Sequence, residues 1–147
     1  MAAYTKFNKF TQSLCQGLCG NMDSGAAPIK LAFTNTAPAA PTTQTVYDSV
    51  TLHPVPVAAN GYTAGGYTVT LNTPSESGGV YSFNVASVAV CTAQAGGIGP
   101  FRYVIAYVNA GTLPLIAYYD YASSITLASG ETFTITPGAT LFTLTTT

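Results

Sequence analysis

The sequence predicts an all-β fold: a jelly-roll-like antiparallel β-sandwich of about eight strands behind one short N-terminal helix. Three observations lead there. From Pro28 onward, short runs of β-branched and aromatic residues alternate with polar ones. Turn formers (Gly, Pro, Asn and Ser) separate these runs at intervals of about 8–12 residues. Helical periodicity occurs once, before residue 20.

Residues 5–18 read as a helix, because Phe7, Phe10, Leu14 and Leu18 fall three and four apart and make one apolar stripe. Thr5 stands where it can cap the start, and Gly17 and Gly20 end it. Ile29–Thr34 reads as the first strand. Residues 35–45 form a loop rich in turn formers that includes Pro38 and Pro41. Val46–Leu52 reads as a short strand, and Pro54 and Pro56 confine their segment to an edge or a loop. Asn60-Gly61 and Gly65-Gly66 mark turns around Tyr62. Tyr67–Leu71 alternates as a half-buried strand, and Pro74–Gly79 reads as a turn. Val80–Thr92 reads as one long strand whose apolar phase changes near Ala86, the pattern of a bulge or bend. Gly96–Pro100 is a loop. Phe101–Val108 is apolar on both faces except at Arg102 and so reads as a central strand. Later strands are expected at Leu113–Tyr119, Ile125–Leu127, Glu131–Thr136 and Leu141–Thr145, with turns at Gly130 and at Pro137-Gly138. The division implied is an N-terminal helix or arm over 1–28 and a β-sandwich domain over 29–147.

Composition narrows the function. Of 147 residues, 48% are hydrophobic and only 6% charged, with a net charge of −1. Average domains carry about 25% charged residues. A surface with so few charges is mostly Thr, Ser, Asn, Gly, Tyr and Ala, which suits a protein packed against neighbours. Four basic residues, Lys6, Lys9, Lys30 and Arg102, are too few for a nucleic-acid-binding stripe. No apolar run is long enough to span a membrane. The N-terminus lacks the continuous apolar core of a signal peptide, which implies a protein made and used inside a cell.

Catalytic signals are sparse. The acids Asp23, Asp48, Glu76, Asp120 and Glu131 are scattered, and His53 reads as a loop residue beside Pro54. No Gly-x-Ser-x-Gly elbow occurs. Gly61 to Gly66 lacks the lysine of a phosphate-binding loop and precedes a strand. Three cysteines make no disulfide framework. Cys15 and Cys19 read as small apolar fillers and Cys91 as a buried strand residue. The chain is therefore read as non-enzymatic, with no catalytic residues, metal or cofactor. Arg102 within an apolar strand needs a partner, and Asp120 on a neighbouring strand is the candidate for a structural ion pair. The run Tyr118-Tyr119-Asp120-Tyr121 places tyrosines on both faces of a strand, which suits an interface or stacking on sugars.

Several phrases in order carry a resemblance. They are Ile29-Lys30-Leu31-Ala32-Phe33-Thr34-Asn35-Thr36-Ala37-Pro38, Asn60-Gly61-Tyr62-Thr63-Ala64-Gly65-Gly66 and Gly99-Pro100-Phe101-Arg102-Tyr103-Val104. Then come Pro114-Leu115-Ile116-Ala117-Tyr118-Tyr119-Asp120-Tyr121 and Gly130-Glu131-Thr132-Phe133-Thr134-Ile135. Together with the early helix they span residues 7 to 145. In this order they resemble small structural proteins of tailed-bacteriophage virions, capsid cement (decoration) proteins in particular. The resemblance implies a jelly roll on the outside of an icosahedral shell of the major capsid protein, made in the host cytoplasm and opposing the pressure of packaged DNA. It implies no catalytic residues. Self-association is expected, a dimer first and a trimer next. The expected contacts are the helix stripe with Phe7, Phe10 and Leu14, the loop with Pro38 and Pro41, the tyrosines Tyr118 and Tyr121, and an exposed strand edge. The alternatives are a phage tail or fibre component and a carbohydrate-binding β-sandwich module built on Tyr118, Tyr119 or Tyr121.

Overall fold

A computed structural model of the chain describes residues 2–22, 28–39, 41–47, 60–63, 65–70, 72–85, 89–136 and 140–146. Its elements are β1 (Ala3–Lys6), α1 (Lys9–Cys15), β2 (Ile29–Thr34), β3 (Tyr67–Thr68), β4 (Ser75–Ser77), β5 (Val80–Asn84), β6 (Ala89–Thr92), β7 (Ile98–Val108), β8 (Leu115–Leu127), β9 (Thr132–Ile135) and β10 (Thr140–Thr145). The all-β antiparallel sandwich expected from the sequence is observed, with ten strands among the described residues where about eight were expected. They form a five-stranded sheet, β1-β8-β7-β2-β3, a three-stranded sheet, β10-β5-β4, and a two-stranded sheet, β6-β9.

The central strand is β7. From Tyr103 to Val108 every residue is buried, because β2 and β8 pair with it on either side and side chains cover both faces. The core side gathers residues from all three sheets. At its centre Phe33 stacks on Phe101 with centroids 4.3 Å apart and meets Phe133 edge-on. The opposite face carries a second cluster of Phe7, Ala32, Tyr47, Tyr103, Ile105, Tyr107 and Leu115.

Several expectations are corrected. The helix is shorter than 5–18. Residues 3–6 are a strand paired with β8, so Thr5 lies opposite Tyr118 and caps nothing. Asn8 takes the N-cap position without a side-chain cap, and α1 has seven residues. Such a helix is marginal alone and depends on packing. The segment before residue 28, expected as an arm, supplies a strand to the main sheet and a helix to the core.

Ser75–Ser77, expected within a turn, pairs with β5 as a hairpin strand closed by Gly78 and Gly79. The expected long strand over 80–92 is two strands in two different sheets. The bulge expected at Ala86 lies outside the described residues, as do most of the Val46–Leu52 strand, Pro54, Pro56, Leu71 and the Pro137-Gly138 turn. Val46 forms a single bridge to Pro114. β7 begins at Ile98, inside the expected loop. The two strands expected at 113–119 and 125–127 are one long strand, interrupted in register between Asp120 and Ile125. Ala122 has a φ of 66° there, so the chain bulges without leaving the sheet.

Candidate functional site

The register interruption in β8 explains the charged pair. Arg102 projects from β7 beside it and makes two parallel bonds to Asp120, Nε to Oδ1 at 2.8 Å and Nη2 to Oδ2 at 2.9 Å. Asp120 Oδ1 also accepts the Ala122 N–H at 2.7 Å, so one carboxylate holds both the arginine and the bulge. The guanidinium stands 5.1 Å from the Tyr103 ring centroid. Arg102 holds the Asp120 carboxyl below its usual range, and the carboxylate raises the guanidinium in turn. Both groups stay charged and paired, which makes the pair a structural clamp and not an acid or base.

The expected contact residues separate into two sets. Phe7 and Phe10 are 0% and 1% exposed, so they are not contact residues on the folded chain. Phe7 packs under Tyr118, and Phe10 meets Phe142 with centroids 4.8 Å apart. The four residues do not make one stripe: Phe7 precedes α1 and joins the outer cluster, Phe10 and Leu14 face the main core, and Leu18 is exposed. Leu14 packs partly buried against the same core. Pro38 and Pro41 are half-buried, and the Pro41 carbonyl accepts the Asn8 N–H at 3.0 Å, tying the loop to the start of α1. Tyr118 belongs to the outer cluster with Tyr103, while Tyr121 packs on Phe133 at the main core. Tyr119 is 7% exposed. Tyr118 thus lies on the outer face and Tyr119 and Tyr121 on the core side, so the three do not make one stacking platform.

The site that sequence reasoning located only in general terms, as a strand edge, is a seam between two sheets. β1 ends the five-stranded sheet and β10 ends the three-stranded one. Between them runs an open groove of about 270 Å³, lined by Tyr4, Lys6 and residues Thr140 to Thr143. The Tyr4 hydroxyl donates to the Leu141 carbonyl at 2.7 Å and bridges the seam. Tyr4 rests on Tyr119, yet remains 43% exposed. One charge among the described residues, Lys6, borders the groove. The short alternation Ala3 to Lys6 was the available signal, hidden by the overlapping helical spacing of Phe7 and Phe10.

The buried thiols are not poised for chemistry. The Tyr67 hydroxyl lies 2.8 Å from both Cys91 Sγ and the Gly61 carbonyl. Burial pushes the Cys91 and Cys19 thiols up, which keeps them protonated and weakly nucleophilic. Cys15 is exposed and Cys19 buried, so only one of the two is the apolar filler expected. Among the described residues no three His, Cys, Asp or Glu side chains gather as metal ligands, and no helix is long and apolar enough to cross a membrane. His53, Asp23 and Asp48 lie outside the described residues. Compared with known protein families, with curated proteins and with solved structures, the chain matches none.

Proposed function

We propose that this protein is a structural component of a tailed-phage virion that binds the outside of the icosahedral shell and stabilises it. The observation that carries the reading is the β1–β10 seam. Edge strands present unpaired backbone groups, and proteins that avoid association usually blunt them with charges or proline. Here two edges flank one groove, and Lys6 is its only charge among the described residues. Such a seam is suited to adding a strand from a partner through main-chain hydrogen bonds. The partner in this reading is the major capsid protein, or a second copy of the chain. The resemblance of the ordered phrases to cement proteins supports the first, and the scarcity of charge supports crowding of many copies with little repulsion. Many weak contacts on a symmetric shell add up through avidity. The reading assigns no catalysis and no cofactor.

The test is where the protein sits on the particle. Immunogold labelling of whole virions is expected to decorate the shell. Label confined to tails or fibres would reassign the chain to the tail. The sugar-binding alternative gains nothing from Tyr118, Tyr119 and Tyr121, whose rings are spread over two faces.

A further inference from the structure

Two charges of opposite sign stand on the sheet edges. The five-stranded sheet ends in β1 and β3, the three-stranded sheet ends in β10 and β4, and β6 and β9 are both edges of the third. Among the described residues these six strands carry two charged side chains, Lys6 on β1 and Glu76 on β4. The other described charges lie elsewhere. Lys9 is on α1, Lys30, Arg102 and Asp120 are on interior strands, and Glu131 precedes β9.

Lys6 is exposed, borders the β1–β10 groove and has no hydrogen bond or ion pair among the described residues. Glu76 is exposed too. Its Oε1 accepts the Gly79 N–H at 2.8 Å, and it makes no ion pair among the described residues. All three residues of β4 are exposed, and β5 pairs with one side of them. Hydrogen-bonding direction alternates along an antiparallel strand, so part of the β4 backbone points outward, away from β5. β4 and β10 are opposite edges of one sheet, with β5 between them. One edge of this sheet thus offers a strand, and the other borders a groove.

Charge selects how two copies meet. Two-fold pairing of β4 with β4 brings Glu76 toward Glu76, and two-fold pairing of the grooves brings Lys6 toward Lys6, which like charge opposes. Head-to-tail docking brings Lys6 toward Glu76.

We propose that the β1–β10 groove takes the β4 edge of a second copy of this chain, with Lys6 of one copy paired to Glu76 of the next. This deepens the seam reading given above and rests on it. The mode is strand addition, in which main-chain bonds give affinity and the charge pair fixes direction. The contact is heterologous. Each added copy brings a free groove or a free β4 of its own, so association continues until a ring closes or a filament grows.

The test is self-association of the full chain without shells, followed by sedimentation over a range of concentrations. The parent is expected to associate as concentration rises. Lys6→Glu and Glu76→Lys should each raise the apparent dissociation constant roughly tenfold or more, because each sets like charges together. The double variant should return to within about threefold of the parent, since the two sites act as a pair. Equimolar mixing of the two single variants should also restore association, because every contact between unlike copies is again complementary. Glu76→Gln keeps an acceptor for the Gly79 N–H and removes the charge, so its weaker association does not come from loss of the hairpin turn. Amide exchange in the parent chain should slow with concentration both at β4 and along the β1–β10 seam. Protection at one of these places alone, single reversals without effect, or a parent that stays monomeric at millimolar concentration would overturn the contact. A chain that stays monomeric and still saturates shells assigns the groove to the major capsid protein and leaves the shell reading standing. A chain that associates head to tail and fails to bind shells keeps the contact and removes the shell reading.

Discussion

Phe10 shows how much a single residue's meaning depends on what covers it. It is 1% exposed and meets Phe142 edge-on, while Phe142 in turn stacks on Phe83. Phe10→Ala should therefore cost about 3–5 kcal/mol of unfolding free energy, read from denaturant midpoints. A loss near zero would return Phe10 to the surface. Asp120 acts at the same scale. Its folded pKa is depressed by Arg102, so the stability it contributes is present above the ordinary carboxylate value of about 3.9 and is lost as pH falls below it. Asp120→Asn should flatten the acid limb of the stability–pH curve in that window and leave the neutral limb parallel. The Arg102–Asp120 pair was legible because a lone charge in an apolar strand demands a partner. The burial of Phe7 and Phe10 was not, since spacing defines a stripe without saying which surface meets it.

Among the elements, β2 was legible at its observed bounds, and β7, β9 and β10 within a few residues, because β-branched and aromatic runs framed by turn formers state the strand locally. β4 was not, because Ser75, Glu76 and Ser77 are all exposed and owe their strand to pairing with β5. β8 read as two strands because the polar run Ala122 to Ser124 interrupts its apolar pattern at the bulge. β1 was lost to the helical spacing that overlaps it. The edges give this scale its prediction. Thr143 is exposed on β10 and lines the groove. Thr143→Lys should change stability by less than about 0.5 kcal/mol while weakening self-association and shell binding, as measured by sedimentation. Unchanged binding in that variant would remove the seam from the interface.

At the scale of the molecule, tyrosines bind distant segments together: Tyr4 to β10, Tyr62 to the Phe33 N–H, Tyr67 to Gly61 and Tyr107 to Gly65. Burial pushes Tyr107 up to about 12 and raises Tyr62, Tyr67 and Tyr119 as well. A raised folded value means that this stability is complete below the ordinary tyrosine value of about 10 and is lost as pH rises from there to about 12. Tyrosinate absorbance should therefore lag behind free tyrosine and then rise together with unfolding. Independent titration at the ordinary value would contradict the burial of these rings. The few charges elsewhere leave the surface neutral, and the proposed docking surface is the seam between β1 and β10, where two sheet edges flank a groove. Co-sedimentation of the purified protein with shells lacking it tests that claim most directly. Saturable binding at a fixed ratio to the major capsid protein, weakened by Thr143→Lys, is the predicted result. Absence of binding to intact shells would contradict it.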